Sequence, residues 1–171
     1  MSWKKLNDAV SYWDKPSLIS KKSKLMALSV DKSTINKEIK FGVAREVYKR
    51  AGNVDISGFL DRSKLILVKS KNLLSWEKVS NLKIKGIDKI LEKLTNKDKY
   101  CIGLEDPDIW IGKQKIIHLY FTIAIGYKHR RGTHIHLGHA QGLSLENLTA
   151  TKPVISSNKE IAISPIQKKR I

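Results

Sequence analysis

The sequence predicts an all-β fold with one short helical insertion. Runs rich in β-branched and aromatic residues, separated by Gly, Pro, Asn and Ser, are typical of strands. These runs cover residues 24–30, 39–47, 64–69, 108–111, 115–125, 133–140 and 160–164. A hydrophobic content of 41% indicates a folded chain rather than a disordered one. No Pro-, Gly- or Ser-rich linker divides the sequence, so we expect residues 1–171 to form a single domain.

An internal repeat supports the β assignment. Segments 65–77 and 135–149 each contain a strand, a polar loop and a large apolar residue, and Leu148 of the second copy takes the place of Trp76. Repeats of one sheet unit are typical of propellers and solenoids, although a plain antiparallel meander gives the same pattern. We expect Trp76 to lie in the core, since large rings are usually buried.

The helical insertion is predicted between Gly86 and Lys97. Apolar residues recur there at helical spacing, whereas the intervening positions are charged. We expect a short amphipathic helix on the surface, just ahead of an acidic segment.

That acidic segment carries the most information about chemistry. Residues 103–108 read Gly-Leu-Glu-Asp-Pro-Asp, and a strongly β-forming run follows at 115–125. Clustered carboxylates repel one another and resist loss of solvent, which points to acid–base chemistry or to the binding of a polyol. The alternative is a solvated acidic turn ahead of a strand.

The segment also resembles a known family. Gly103, Glu105, Asp106 and Pro107, followed by Leu-Tyr-Phe-Thr at 119–122, are similar to a blade-starting motif of the five-bladed β-propeller glycosidases. The resemblance is closest to the β-mannoside phosphorylases and hydrolases of glycoside hydrolase family 130, and it covers roughly residues 60–155. It implies a partial five-bladed β-propeller. Because closure takes at least roughly four blades, 171 residues are expected to hold about two and to represent an N-terminal fragment.

The resemblance implies roles for the acidic segment. Asp106 would be the catalytic carboxylate, Glu105 would bind sugar hydroxyls, and Asp108 could also help to bind sugar. Independently of the resemblance, Trp110 is a candidate because sugar rings stack on aromatic rings; it could line the site or pack beneath it. Asp108 stands where family 130 usually has an arginine that helps to bind phosphate or sugar. Phosphorolysis is therefore less well supported than hydrolysis. No metal or organic cofactor is implied, and inorganic phosphate would be a co-substrate of a phosphorylase only.

Three further substrate-binding candidates come from earlier in the chain. Arg45 and Arg62 each match the basic residue that the family presents from its first blade, and the sequence does not choose between them. Asp14 matches a carboxylate that invertase-like relatives place early, with a turn or helix-capping role as the alternative.

The resulting functional prediction is a glycoside hydrolase or glycoside phosphorylase-like protein that acts on oligosaccharides. As a fragment it is expected to be inactive alone and to associate with itself or with a completing chain. The formal net charge of +17 supports an alternative, a basic module that binds nucleic acid or another polyanion. Most of the positive residues are lysines spread along the sequence, which also fits a solvated basic surface.

Other residue patterns argue against further classes of function. His134 and His136 share a face of a strand and could share a metal, but the sequence places no carboxylate or Cys beside them. The single cysteine, Cys101, is expected to be a buried small residue. The N-terminus lacks an apolar signal region, and no stretch is long enough to span a bilayer. These observations predict a cytoplasmic protein without a membrane partner.

Overall fold

The computed structural model of the chain describes residues 24–51, 60–130, 132–152 and 155–156. These ranges are mostly β, with one short helix, which confirms the all-β prediction. The strands are β1 (Lys24–Val30), β2 (Lys40–Ala51), β3 (Leu60–Ser70), β4 (Glu77–Asn81), β5 (Ile84–Lys85), β6 (Lys99–Ile111), β7 (Ile117–Tyr127), β8 (Thr133–Gly142), β9 (Leu148–Ala150) and β10 (Ile155–Ser156). The helix α1 spans Ile87–Leu94, and 3-10 turns occupy Lys32–Thr34 and Lys113–Lys115.

The strands form two four-stranded antiparallel meanders. In the first meander β1, β2, β3 and β4 pair in sequence order, and in the second β6, β7, β8 and β9 do the same. A parallel bridge between Ser63 of β3 and Gly103 of β6 connects the two, and β5 runs parallel to β9. β10 pairs with β8. Together the described strands make one open mixed sheet.

Most predicted strands are present with small shifts of their ends. Predicted segments 24–30, 39–47, 64–69, 115–125 and 133–140 correspond to β1, β2, β3, β7 and β8. Segment 108–111 is only the end of the much longer β6, and segment 160–164 lies outside the described residues. The short strands β4, β5, β9 and β10 were not predicted, because brief segments leave little periodicity to detect.

The main core lies between the two meanders. Alternate residues of β7 supply its centre, since successive strand residues point to opposite faces. The central buried side chains are Val43, Leu65, Leu67, Ile109, Ile117, Leu119, Phe121, Ile123 and Ile125. The opposite face of the first meander carries a smaller cluster of Ala44, Ile66, Val68 and Trp76.

Trp76 lies in the core, as predicted. Its exposed fraction is 6%, and its indole Nε1–H donates to the Leu73 carbonyl oxygen at 3.0 Å. The Leu148 side chain, at the matching position of the repeat, is 2% exposed. In each meander the repeated segment joins the third strand to the fourth. The two copies of the sequence repeat therefore occupy equivalent positions in the two meanders.

Helix α1 is amphipathic, as the sequence predicted. Its apolar residues are partly buried against the main core, and its charged residues Asp88, Lys89, Glu92 and Lys93 face outward. Gly86 precedes the helix with φ +81°, a left-handed conformation that glycine adopts without a steric penalty. Within the described ranges, no helix combines the length and the apolar character needed to cross a membrane.

Candidate active site

The acidic segment is part of a strand, which corrects the prediction of a turn ahead of one. Residues 103–108 all lie within β6, and the pairing of β6 with β7 shifts between Glu105 and Asp108. A β-bulge at this point lets one strand carry extra residues without losing the ladder on either side. Pro107 is tolerated there because a bulge does not require its missing N–H. Asp106 has φ +43°, so its backbone is in the left-handed region.

Gly103 determines how closely β6 approaches β3. A Cβ atom at Gly103 would collide with the backbone carbonyl oxygen of Ser63 and would stand 2.8 Å from the Ser63 nitrogen. A side chain at this position would push the two strands apart. The glycine therefore permits the single parallel bridge that brings the acidic segment against the first meander.

Arg45 of β2 binds both carboxylates across this junction. Its Nη2 donates to Glu105 Oε1 at 2.8 Å, and its Nη1 donates to Asp106 Oδ1 at 3.2 Å. Its Nε donates to Ser63 Oγ at 2.9 Å, and the Ser63 hydroxyl donates in turn to Glu105 Oε1 at 3.1 Å. We call Arg45, Ser63, Glu105 and Asp106 the carboxylate cluster.

The two carboxylates of the cluster differ in exposure. The Arg45 and Glu105 side chains are each 12% exposed, whereas that of Asp106 is 33% exposed. Glu105 is therefore held by two partners away from solvent, and Asp106 has one oxygen bound to Arg45 and a side chain that solvent reaches. This arrangement can fix one carboxylate as a structural anchor and present the other to a ligand.

No protein-family model matches the chain, and no curated protein matches it in sequence. The carboxylate cluster and its surroundings therefore carry the argument about function.

The other predicted substrate-binding residues lie apart from the cluster or outside the description. Arg62 Nη1 donates to the Cys101 carbonyl oxygen at 2.7 Å, and its guanidinium lies 4.5 Å from the centroid of the Tyr100 ring. Asp108 and Trp110 lie beyond the bulge on β6 and are exposed. Asp14 is outside the described residues. Of the two arginines that the sequence left open, Arg45 donates to both Glu105 and Asp106.

Ser63 is a member of the cluster that sequence reasoning missed. Its side chain is buried between Arg45 and Glu105. A serine inside a strand, flanked by charged residues, has no pattern that separates it from an ordinary surface serine.

A row of aromatic and histidine rings lies on the second meander. His118 Nδ1 and His139 Nε2 are 3.0 Å apart, and His139 Nδ1 is 2.9 Å from Thr151 Oγ1. The rings of Trp110 and Tyr120 complete the row at centroid distances of 5.1 Å from His118 and 4.7 Å from His139, respectively. Burial, followed by the nearby charge of His118, lowers the pKa of His139 below its ordinary value.

The remaining histidines and the cysteine do not form a metal site in the described ranges. The rings of His134 and His136 stack at 4.5 Å, which confirms that they share a face. No group of three His, Cys, Asp or Glu residues suited to a metal ion occurs in the part of the chain that the structure describes. Cys101 is partly buried, and this burial raises the pKa of its thiol, which disfavours the reactive thiolate.

Proposed function

We propose that the carboxylate cluster is part of a site that binds and cleaves glycosides. The observation that carries the proposal is the contact of the Arg45 guanidinium group with two carboxylates of a bulged strand. Its Nη2 lies 2.8 Å from Glu105 Oε1, and its Nη1 lies 3.2 Å from Asp106 Oδ1. The predicted catalytic residue, its predicted sugar-binding neighbour and one of the two predicted arginines thus meet at one point. The resemblance to five-bladed propeller glycosidases implies these roles from the sequence alone.

In this proposal Asp106 is the catalytic carboxylate. Glycoside cleavage with inversion uses one carboxyl group to protonate the leaving oxygen, while a second group activates water or phosphate attacks directly. Asp106 is the candidate for one of these two groups because its side chain is partly exposed and the bulge positions its backbone. Glu105 and Ser63 hold Arg45 in place, and Arg45 orients Asp106.

We further propose that the two meanders are neighbouring propeller blades. Each has four antiparallel strands in sequence order, which is the composition of one blade. The strand-and-loop repeat occupies the same position in both, and their facing surfaces form the main core. The cluster would then lie where the first strand of one blade meets its neighbour.

Hydrolysis is favoured over phosphorolysis within this proposal. Asp108 is an exposed carboxylate at the position where the family that the sequence resembles has an arginine that binds phosphate or sugar. A negative side chain repels an incoming phosphate dianion instead of attracting it. Water is therefore the preferred acceptor.

The test is an assay of the chain against β-mannosides, arabinosides and fructosides, with and without inorganic phosphate. Asp106→Asn keeps the shape of the side chain but removes its proton chemistry. Because the chain is expected to be inactive alone, turnover is compared with the completing chain present. There we expect Asp106→Asn to lower turnover by about a hundred- to ten-thousand-fold, while binding of the same glycoside, measured by calorimetry, changes little.

The matched control is Asp88→Asn on the exposed face of α1, which makes the same chemical change at an exposed residue outside the cluster. This variant should retain full turnover. Equal turnover in the Asp106 and Asp88 variants would contradict the catalytic assignment. Failure of every glycoside to bind or react would contradict the proposed substrate class.

A further inference from the structure

Two adjoining turns concentrate positive charge at one end of the second meander. Lys97 lies in the turn between α1 and β6, Lys99 is the first residue of β6, and Lys128 and Arg130 lie between β7 and β8. We call these four residues the basic tip. The carboxylate of Asp98 lies among them, so the tip retains a positive balance.

Hydrogen bonds hold the two turns together. The backbone N–H of Lys128 donates to the Asp98 carbonyl oxygen at 3.0 Å. Asn96 Oδ1 accepts from the backbone N–H groups of Asp98 and Lys99, both at 2.9 Å. The four basic residues therefore lie on two chain segments that are hydrogen-bonded to each other, not on independent loops. A fixed scaffold reduces the ordering entropy that binding would otherwise require.

The ring of Tyr127 arranges two of these cations. The Arg130 guanidinium carbon lies 3.7 Å from the ring centroid, and Lys99 Nζ lies 5.7 Å from it. A guanidinium held over an aromatic face is pre-oriented, and its planar fork matches the oxygens of a phosphate group. Arg130 also covers a face of Tyr127 and so leaves less of the ring for a base to stack on.

Two histidines beside the basic tip interact with its charged groups. The pKa of His136 is lowered by burial first, then by His134, and then by the charge of Lys99. His129 Nε2 lies 3.8 Å from Asp98 Oδ1 and pairs with it when protonated. An anion beside these groups would offset the repulsion among the cations.

We propose that the basic tip binds the phosphate backbone of nucleic acid without reading its bases. A nucleic acid duplex presents about one negative charge per 1.7 Å of its axis. That density suits several cations fixed on two connected turns. The net charge of +17 would attract such a polyanion over longer range. This site is separate from the carboxylate cluster and does not depend on the proposed glycosidase function.

The experiment measures binding of a fluorescein-labelled short DNA duplex to the full chain by anisotropy, at about 50 and about 200 mM salt. The test variant is K128Q/R130Q. The matched control is K113Q/K115Q, which removes two cations from the exposed turn at the opposite end of β6 and β7. Circular dichroism and urea midpoints establish that both variants are folded like the parent.

We expect K128Q/R130Q to weaken duplex binding about tenfold or more and to reduce the salt slope by about 1.8, because two phosphate contacts are lost at about 0.9 each. The control should weaken binding less than about twofold at the same salt. Equal weakening in both variants would show diffuse attraction and overturn the assignment. Absence of binding at the lower salt would overturn it as well, as would tip-dependent binding of heparin without binding of DNA.

Discussion

Replacement of Arg45 by methionine tests whether the carboxylate cluster stabilises the contact between the two meanders, that is, whether it acts as a joint between them. The change keeps a long side chain but removes the three side-chain hydrogen bonds to Ser63, Glu105 and Asp106. Loss of one partner from a buried ion pair typically costs about 3–5 kcal/mol. The lower end, about 3 kcal/mol, applies here because the Ser63 hydroxyl still donates to Glu105.

Urea unfolding monitored by tryptophan fluorescence would report the loss. With a slope of about 2 kcal/mol per molar urea, a loss of about 3 kcal/mol lowers the unfolding midpoint by about 1.5 M. The matched control is Arg50→Met on the same strand, where Arg50 Nε pairs with Asp61 Oδ1 at 3.0 Å but the arginine side chain is 40% exposed. Because the arginine of this pair is largely exposed, although the Asp61 side chain is only 12% exposed, the pair should contribute about 1 kcal/mol, which is less than the cluster contributes.

A double-mutant cycle separates the ion pair from simple loss of packing. Arg45→Met combined with Glu105→Gln removes both charges, so the combined loss should be smaller than the sum of the two single losses by about 1–3 kcal/mol. If Arg45→Met destabilised the protein no more than Arg50→Met, or if the two losses in the cycle simply added, the interpretation of the cluster as a joint would be wrong.

Three further predictions concern stability and association. Gly103→Ala should lower the free energy of unfolding by about 1–3 kcal/mol, because its Cβ would collide with the Ser63 backbone; an unchanged urea midpoint would contradict this. The free energy of unfolding should fall as the pH drops below about 6.5, because folding lowers the pKa of His139 and the unfolded chain therefore binds a proton more readily than the folded chain does. His139→Gln should flatten this decline between about pH 7.5 and about pH 5.5, and an unaltered slope would refute the assignment. The exposed apolar side chains Tyr48, Leu74 and Val79 should promote concentration-dependent self-association, which light scattering would detect and a constant monomer mass would exclude.

Periodicity was enough to predict most of the sheet. In β7 the odd-numbered residues from Ile117 to Ile125 are all buried in the main core, and this alternation is visible in the sequence. β6 was shortened in the prediction because Glu-Asp-Pro-Asp has low strand propensity and matches turn chemistry. The bulge and the pairing with β7 override that local preference, and only the register between distant strands reveals them.

The candidate site was predictable in its acidic half only. Glu105 and Asp106 are adjacent in the sequence, so their chemistry could be recognised locally. Arg45 is 60 positions away from Glu105, and Ser63 is 42 away. No sequence pattern predicts the pairing of β3 with β6, and therefore none favours Arg45 over Arg62. Contacts at such separations depend on strand register, which the hydrophobic pattern of one strand does not specify.

The backbone around the cluster also bears on whether it is more than a structural ion pair. A non-glycine residue in the left-handed region, such as Asp106, costs on the order of 1–3 kcal/mol and persists only where its surroundings enforce it. Here the surroundings are Arg45 on one side and the buried Pro107 on the other. An ion pair that served stability alone would be satisfied by Glu105, whose side chain is the less exposed of the two carboxylates. With this backbone the Asp106 side chain is 33% exposed while one of its oxygens accepts from Arg45 Nη1 at 3.2 Å. The proposed catalytic role of Asp106 requires a carboxylate that is both held in place and reached by solvent, and in the cluster Asp106 meets this requirement better than Glu105, whose side chain is only 12% exposed.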